Sequence, residues 1–77
     1  MEILFEKAFE RDIRKIGSRS VLHKLREVIL HIKQATKISE IKNIRKIEGT
    51  KLFYRIKLGN YRIGIEISSN KVIFVSF

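Results

Sequence analysis

The sequence contains no cysteine and no proline. Without thiols it can build neither a disulfide framework nor a thiolate metal site. Acids are scarce: 8 Asp or Glu stand against 17 Lys or Arg in 77 residues, a formal net charge of +9. Long apolar runs are missing as well. None approaches the roughly 20 residues of a membrane span. The N-terminal run Ile3-Leu4-Phe5 is short and lies between Glu2 and Glu6, which is not the pattern of a secretory leader. Together these absences argue against a disulfide-stapled secreted fold and against a membrane span, and they favour the cytoplasm.

What is present fits one small domain over residues 1–77. Hydrophobic residues make up 44% and charged residues 32%, too apolar for disorder. A chain of this size buries only about 60% of its unfolded surface, so its stability is modest. The charge of +9 exceeds what solubility requires. It points to a polyanionic partner, namely nucleic acid, an acidic protein or a membrane surface.

The chain divides into two styles. Phe5, Phe9, Ile13 and Ile16 recur every three or four residues and predict a helix from about Glu6 to Ile16. Gly17 is expected to stop it in a left-handed conformation. Ser18 or Ser20 then caps a second helix. Its stripe is Val21, Leu22, Leu25, Val28, Ile29, Ile32 and Ala35, an arc of about 140° that faces a core. So short a turn predicts an antiparallel helix hairpin. His23 and His31 fall outside the stripe with no acid or cysteine at ligand spacing, so no metal site is expected. Thr36 to Asn43 reads as a connection, with Ile38, Ile41 and Ile44 three apart, leading into a short strand over Ile44 to Glu48.

From Leu52 onward the period is two. Leu52, Tyr54, Ile56 and Leu58 alternate with Phe53, Arg55 and Lys57. After Gly59-Asn60, Tyr61, Ile63, Ile65 and Ile67 alternate with Arg62, Gly64 and Glu66. A two-residue turn makes Leu58 face Tyr61 and so fixes the whole register. Ile56 then faces Ile63 and Tyr54 faces Ile65 toward the core. On the other face Lys57 opposes Arg62, Arg55 opposes Gly64 and Phe53 opposes Glu66. Like charges opposed across a ladder destabilise it. Folding does not need Arg55, Lys57 and Arg62 gathered around a glycine, and a bound phosphate would turn their repulsion into attraction. Gly64 would admit a ligand backbone or base close to the sheet. The last strand, Val72 to Phe77, is apolar on both faces. Val72, Phe74 and Ser76 form one set and Ile73, Val75 and Phe77 the other.

The stretch from Ile47-Glu48-Gly49 through Tyr54-Arg55-Ile56-Lys57-Leu58-Gly59-Asn60-Tyr61-Arg62 to Ile67 resembles the RelE/ParE superfamily of bacterial type II toxin–antitoxin toxins. That family carries Leu-x-Gly, then Tyr-Arg-(Ile/Leu)-(Arg/Lys)-(Val/Leu)-Gly-(Asp/Asn)-Tyr-Arg, then a hydrophobic strand. The resemblance extends to the order of elements along the whole chain. It implies an α+β fold, with two N-terminal helices packed as a hairpin on a small, twisted, mainly antiparallel sheet. RelE-type members are mRNA interferases that enter the ribosomal A site, cut mRNA and inhibit translation without a cofactor. ParE-type members instead poison DNA gyrase. Such modules also serve plasmid stabilisation. The matching working positions are Arg55, Lys57 and Arg62. The family usually continues past the last strand with a His-Arg-Lys-x-x-Tyr-like segment, which this sequence lacks; its Arg and Tyr have no counterpart here.

The resemblance implies cleavage by the neighbouring 2′-OH. Arg55 and Arg62 would steady the phosphate charge and Lys57 would take the proton. With no counterpart for the family's C-terminal proton donor, binding to RNA or ribosomes with impaired cleavage is expected. An inactive toxin that only binds its antitoxin is a further alternative. The expected partner is an acidic cognate antitoxin that covers Ile73, Val75 and Phe77, by a helix in a groove or by an added strand.

Overall fold

The computed structural model describes residues 1–77. Strand β1 (Glu2–Phe5) leads directly into helix α1 (Lys7–Arg14) and then α2 (Arg19–Gln34). A 3-10 turn over Ile38–Glu40 precedes β2 (Ile44–Lys46), β3 (Phe53–Leu58), β4 (Tyr61–Ser68) and β5 (Lys71–Ser76). The five strands form one sheet in the order β1-β5-β4-β3-β2. The α+β architecture is the expected one, but the sheet is mixed and not mainly antiparallel. β1 runs parallel to β5, with Ile3 beside Val72 and Phe5 beside Phe74. That pairing joins the two ends of the chain, and no local turn signal announces it.

The β3–β4 hairpin has the register that its turn dictates, from Leu58↔Tyr61 to Phe53↔Glu66. Gly59 turns it at φ +60, a conformation open to glycine at little cost. Alternation then sends Ile56, Ile63, Ile65 and Ile67 to one face, where they are buried with Val72, Phe74, Phe9, Leu25, Ile32, Ala35 and Ile41. Both helices cover that face. α1 lies over β5, and α2 crosses β1 and β3.

Two local expectations are corrected and one alternative is resolved. Gly17 has no left-handed φ. α1 ends instead by tightening: the Lys15 and Ile16 N–H groups donate to the carbonyls of Asp12 and Ile13. Ser18, not Ser20, caps α2, its hydroxyl accepting the Val21 N–H at 3.3 Å. Phe77 does not share a face with Ile73 and Val75. Ile65 pairs with Phe74 but Gly64 pairs with Ser76, so Val75 is an extra, bulged residue. The bulge turns Phe77 to the helix side. There its ring stacks on Tyr61 at 5.0 Å and meets the edge of Phe9 at 6.1 Å. The Phe77 N–H donates to Asp12 Oδ2 at 3.2 Å.

Aromatic rings thus tie β1, α1 and β5 together. Phe9 lies 5.2 Å from Phe74 and 5.7 Å from Phe5, and Phe5 lies 5.3 Å from Phe74. The Met1 ammonium adds a second tie, donating to the carbonyls of Lys33 and Ala35 at the end of α2, where the helix dipole favours a cation. The connection after α2 is pinned by Glu40, whose carboxylate accepts the Thr36 N–H at 2.7 Å and the Thr36 hydroxyl at 3.2 Å. His31 Nε2 closes on the Glu40 carbonyl at 3.0 Å.

Phe9→Ala removes the centre of the ring cluster and should cost about 3–5 kcal/mol. That is about half of what a domain of this size has, at about 0.1 kcal/mol per residue. Urea titration should show the variant still folded in water but with its unfolding midpoint about halved, and Phe9→Leu intermediate. The Thr36 N–H, followed by the Thr36 hydroxyl and Lys37, holds the Glu40 carboxyl below its ordinary value of 4.5. A lowered folded pKa gives stability that is present above the unfolded value and lost as pH falls through the folded one. Unfolding midpoints measured from neutrality down through the acid side of 4.5 should therefore fall less steeply for Glu40→Gln than for the parent chain.

Candidate nucleic-acid interface

The face of the sheet turned away from the helices carries the charges. Along β3 the open-face residues are Phe53, Arg55 and Lys57. Arg62 opposes Lys57 across β4, as the turn register requires. β2 adds a residue that sequence reading did not assign. Arg45 pairs directly with Arg55, because Ile44 pairs with Ile56. The strand itself was legible, and aligning Ile44 with the buried Ile56 is the signal that would have placed Arg45 on this face. One step further along the same register Asn43, at φ +61, lies beside Lys57.

Asn43, Arg45, Arg55, Lys57 and Arg62 line one depression of about 340 Å³. All five side chains are polar and exposed, and four are cationic. None is paired with a carboxylate. The only pairing of a basic group with a carboxylate in the chain joins His23 to Glu27, at 2.7 Å on the surface of α2. Arg55, Lys57 and Arg62 are therefore brought together as their spacing implied, with Arg45 completing a set of four.

Gly64 belongs to the same face but has a different neighbour from the one expected. A Cβ built on it would collide with the Ser76 hydroxyl. Ser76 of β5 already fills the gap that the glycine leaves, so the absent side chain serves the bulged β4–β5 pairing. Ile73 and Val75 lie half-buried on this open side, beyond β4, whereas Phe77 is withdrawn to the helix side.

Two like-charged pairs opposed across a ladder, Arg45–Arg55 and Lys57–Arg62, make a surface suited to a bound polyanion. Arginine forks onto phosphate oxygens and stays protonated, and lysine adds a point charge. A small α+β fold with such a face fits the toxin fold that the sequence resemblance implies.

Residues 3–77 match the family model of the ParE toxin of the type II toxin–antitoxin system parDE, and the chain belongs to that family, within the RelE/ParE superfamily. Among individual relatives, Toxin RelE3 of Methanocaldococcus jannaschii is 33% identical over 75 residues, covering 96% of this chain and 84% of the relative. The toxin in the crystal structure of the RelB–RelE antitoxin–toxin complex from Methanococcus jannaschii superposes with a TM-score of 0.83 at 31% identity. That match covers 95% of this chain and 85% of that one. The intact E. coli RelBE complex shares the fold, with a TM-score of 0.75 at 24% identity over 97% and 90% of the two chains. Although the family model carries the ParE name, these relatives are RelE proteins. The chain is a RelE-like toxin of a toxin–antitoxin pair, and the ParE alternative is not favoured.

If the four cations repel one another in the free protein, removing one should stabilise the fold. Arg55→Gln is expected to raise stability by up to about 1 kcal/mol. The gain should shrink as salt is added, because exposed charges are screened. Urea denaturation at low and high sodium chloride measures both.

Proposed function

We propose that the chain arrests translation by cutting mRNA on the ribosome, with the cationic depression as its active surface. The single observation that carries this reading is the set Arg45, Arg55, Lys57 and Arg62 around one depression, with no carboxylate to neutralise it. A face that is electrostatically unfavourable when empty and favourable when it holds phosphate is a binding face. RNA supplies its own nucleophile, the 2′-OH next to the scissile phosphate. Lys57, acting in its neutral amine form, accepts the proton of that hydroxyl and becomes an ammonium beside the phosphate as the hydroxyl oxygen attacks phosphorus. Arg55 and Arg62 hold the non-bridging oxygens as charge builds on them. The 5′-oxygen departs with the bonding electron pair. Its proton comes from water or the ribosomal complex, since no acid lines the depression, and cleavage is correspondingly slow.

This reading places the domain of residues 1–77 in the cytoplasm, where ribosomes are, and no helix of the structure is long and apolar enough to cross a membrane. The partner is a cognate antitoxin, as the RelB–RelE complexes of the relatives support. An acidic antitoxin segment laid over Ile73 and Val75 would reach the cations of the same face and compete with RNA for them.

The test is toeprinting on purified ribosomes programmed with a defined mRNA. The parent chain should produce new 3′ ends within the A-site codon. Lys57→Ala with Arg62→Ala should reduce their rate of appearance at least about 100-fold, the scale of lost proton transfer and charge stabilisation. Intact mRNA in the presence of the folded parent chain would sink the reading, as would equal cleavage by the double variant.

A further inference from the structure

At the row of Phe53 the chemistry of the open face changes. Phe53, Arg55 and Lys57 stand two positions apart along β3, so an aromatic ring and two cations follow one another at steps of about 6.7 Å. Phe53 is 38% exposed. Phe5, Phe9, Phe74 and Phe77 are all engaged in the ring cluster of the core side, which leaves Phe53 as the one phenylalanine outside it. Its partner across the ladder is Glu66. Glu66 is half-buried and is the only carboxylate carried by β2, β3 and β4.

A phosphate has no reason to settle on this row, because a ring face and a carboxylate both disfavour it. A nucleobase suits both groups. It can stack on the ring, as bases do on exposed aromatics of single-strand-binding proteins. Its edge can donate an amino N–H to the carboxylate. One row away, Arg45 and Arg55 are placed to take the phosphate of the same nucleotide. Ile47 and Ile73 flank the row, so an apolar peptide is the rival occupant. The carboxylate in the middle of the row and the cations beside it favour a nucleotide.

We propose that Phe53 and Glu66 form a base-binding subsite adjoining the cationic depression, so that the open face holds single-stranded RNA by one base and the phosphates next to it. Phe53 stacks on the base. Glu66 reads its edge and accepts from the cytosine amino group, whereas it faces a carbonyl oxygen in uracil. This inference rests on the reading of the face as an RNA site.

Fluorescence anisotropy with labelled oligocytidylate and oligouridylate, titrated across a range of salt, tests it. The parent chain should bind oligocytidylate more tightly. Phe53→Ala should weaken binding about tenfold, the scale of one lost stacking contact, and leave the salt slope unchanged. Arg45→Ala should lower that slope by about 0.7, the share of one phosphate on a single strand. Phe53→Trp should retain affinity and Phe53→Leu should not, with urea midpoints confirming that each variant folds. Glu66→Gln should level the preference for cytosine over uracil. Parent-like binding by Phe53→Ala and Phe53→Leu would overturn the subsite, yet the reading of an RNA face would stand if Arg45→Ala still changed the slope. A loss at Phe53→Ala confined to the antitoxin would assign the row to the protein partner and overturn the subsite as well. Failure of the parent chain to bind either oligonucleotide would overturn the subsite and the RNA face together.

Discussion

Ile56, Ile63 and Ile65 lie on one face of a hairpin whose side chains alternate strictly from face to face. Their burial under the helices decides where every other residue of β3 and β4 points. Arg55, Lys57 and Arg62 have no choice but to converge on the opposite face. The magnitudes show why this holds. Fully burying an isoleucine is worth about 1.5–3 kcal/mol, whereas a like-charged pair across a ladder costs up to about 1 kcal/mol. Three buried isoleucines outweigh two opposed pairs. A slip of one residue that separated the cations would carry the isoleucines into water. The hydrophobic face therefore holds the charged face in an arrangement it would not adopt alone.

That constraint also explains which parts of the structure the sequence made legible. The hairpin was readable to the residue because Gly59-Asn60 sets its register locally and the alternation runs unbroken through Ile67. The stripe of α2 was readable because seven apolar positions repeat at helical spacing. The β1–β5 pairing was not, since it joins residues some seventy positions apart and a parallel pair leaves no turn between its strands. The resemblance implied a mainly antiparallel sheet, and no turn between β1 and β5 pointed to the parallel pair. The bulge at Val75 was hidden for a related reason. Period-two reading assumes an unbroken ladder, and one extra residue was enough to move Phe77 from the open face to the side of Tyr61 and Phe9.

The candidate site divides along the same line. Arg55, Lys57 and Arg62 came from local register and lie together as expected. Arg45 required the partner of a three-residue strand across the β2–β3 connection. Gly64 was read as admitting a ligand close to the sheet, but Ser76, brought there by the bulge, occupies the space beside it. Sequence reasoning recovered contacts made by neighbours in the chain. It missed contacts that depend on where a distant strand comes to rest.

The ends of the molecule then matter to a site that lies at its middle. β5 sits between β1 and β4, and it is clamped from the core side by Phe74 against Phe5 and Phe9. β4 in turn inherits its position from β5. The four cations are thus mounted on a sheet whose rigidity comes from a ring cluster on its far side, and none of those rings touches the open face. The charged side chains themselves are exposed and unpaired, so they contribute repulsion to the free protein and attraction to any polyanion bound there. By linkage, a ligand that binds only the folded state stabilises it. Here the bound phosphate also removes a repulsion that the fold carries when the face is empty. Any polyanion that covers this face therefore stabilises the chain as it binds, and two polyanions that need the same four residues exclude each other.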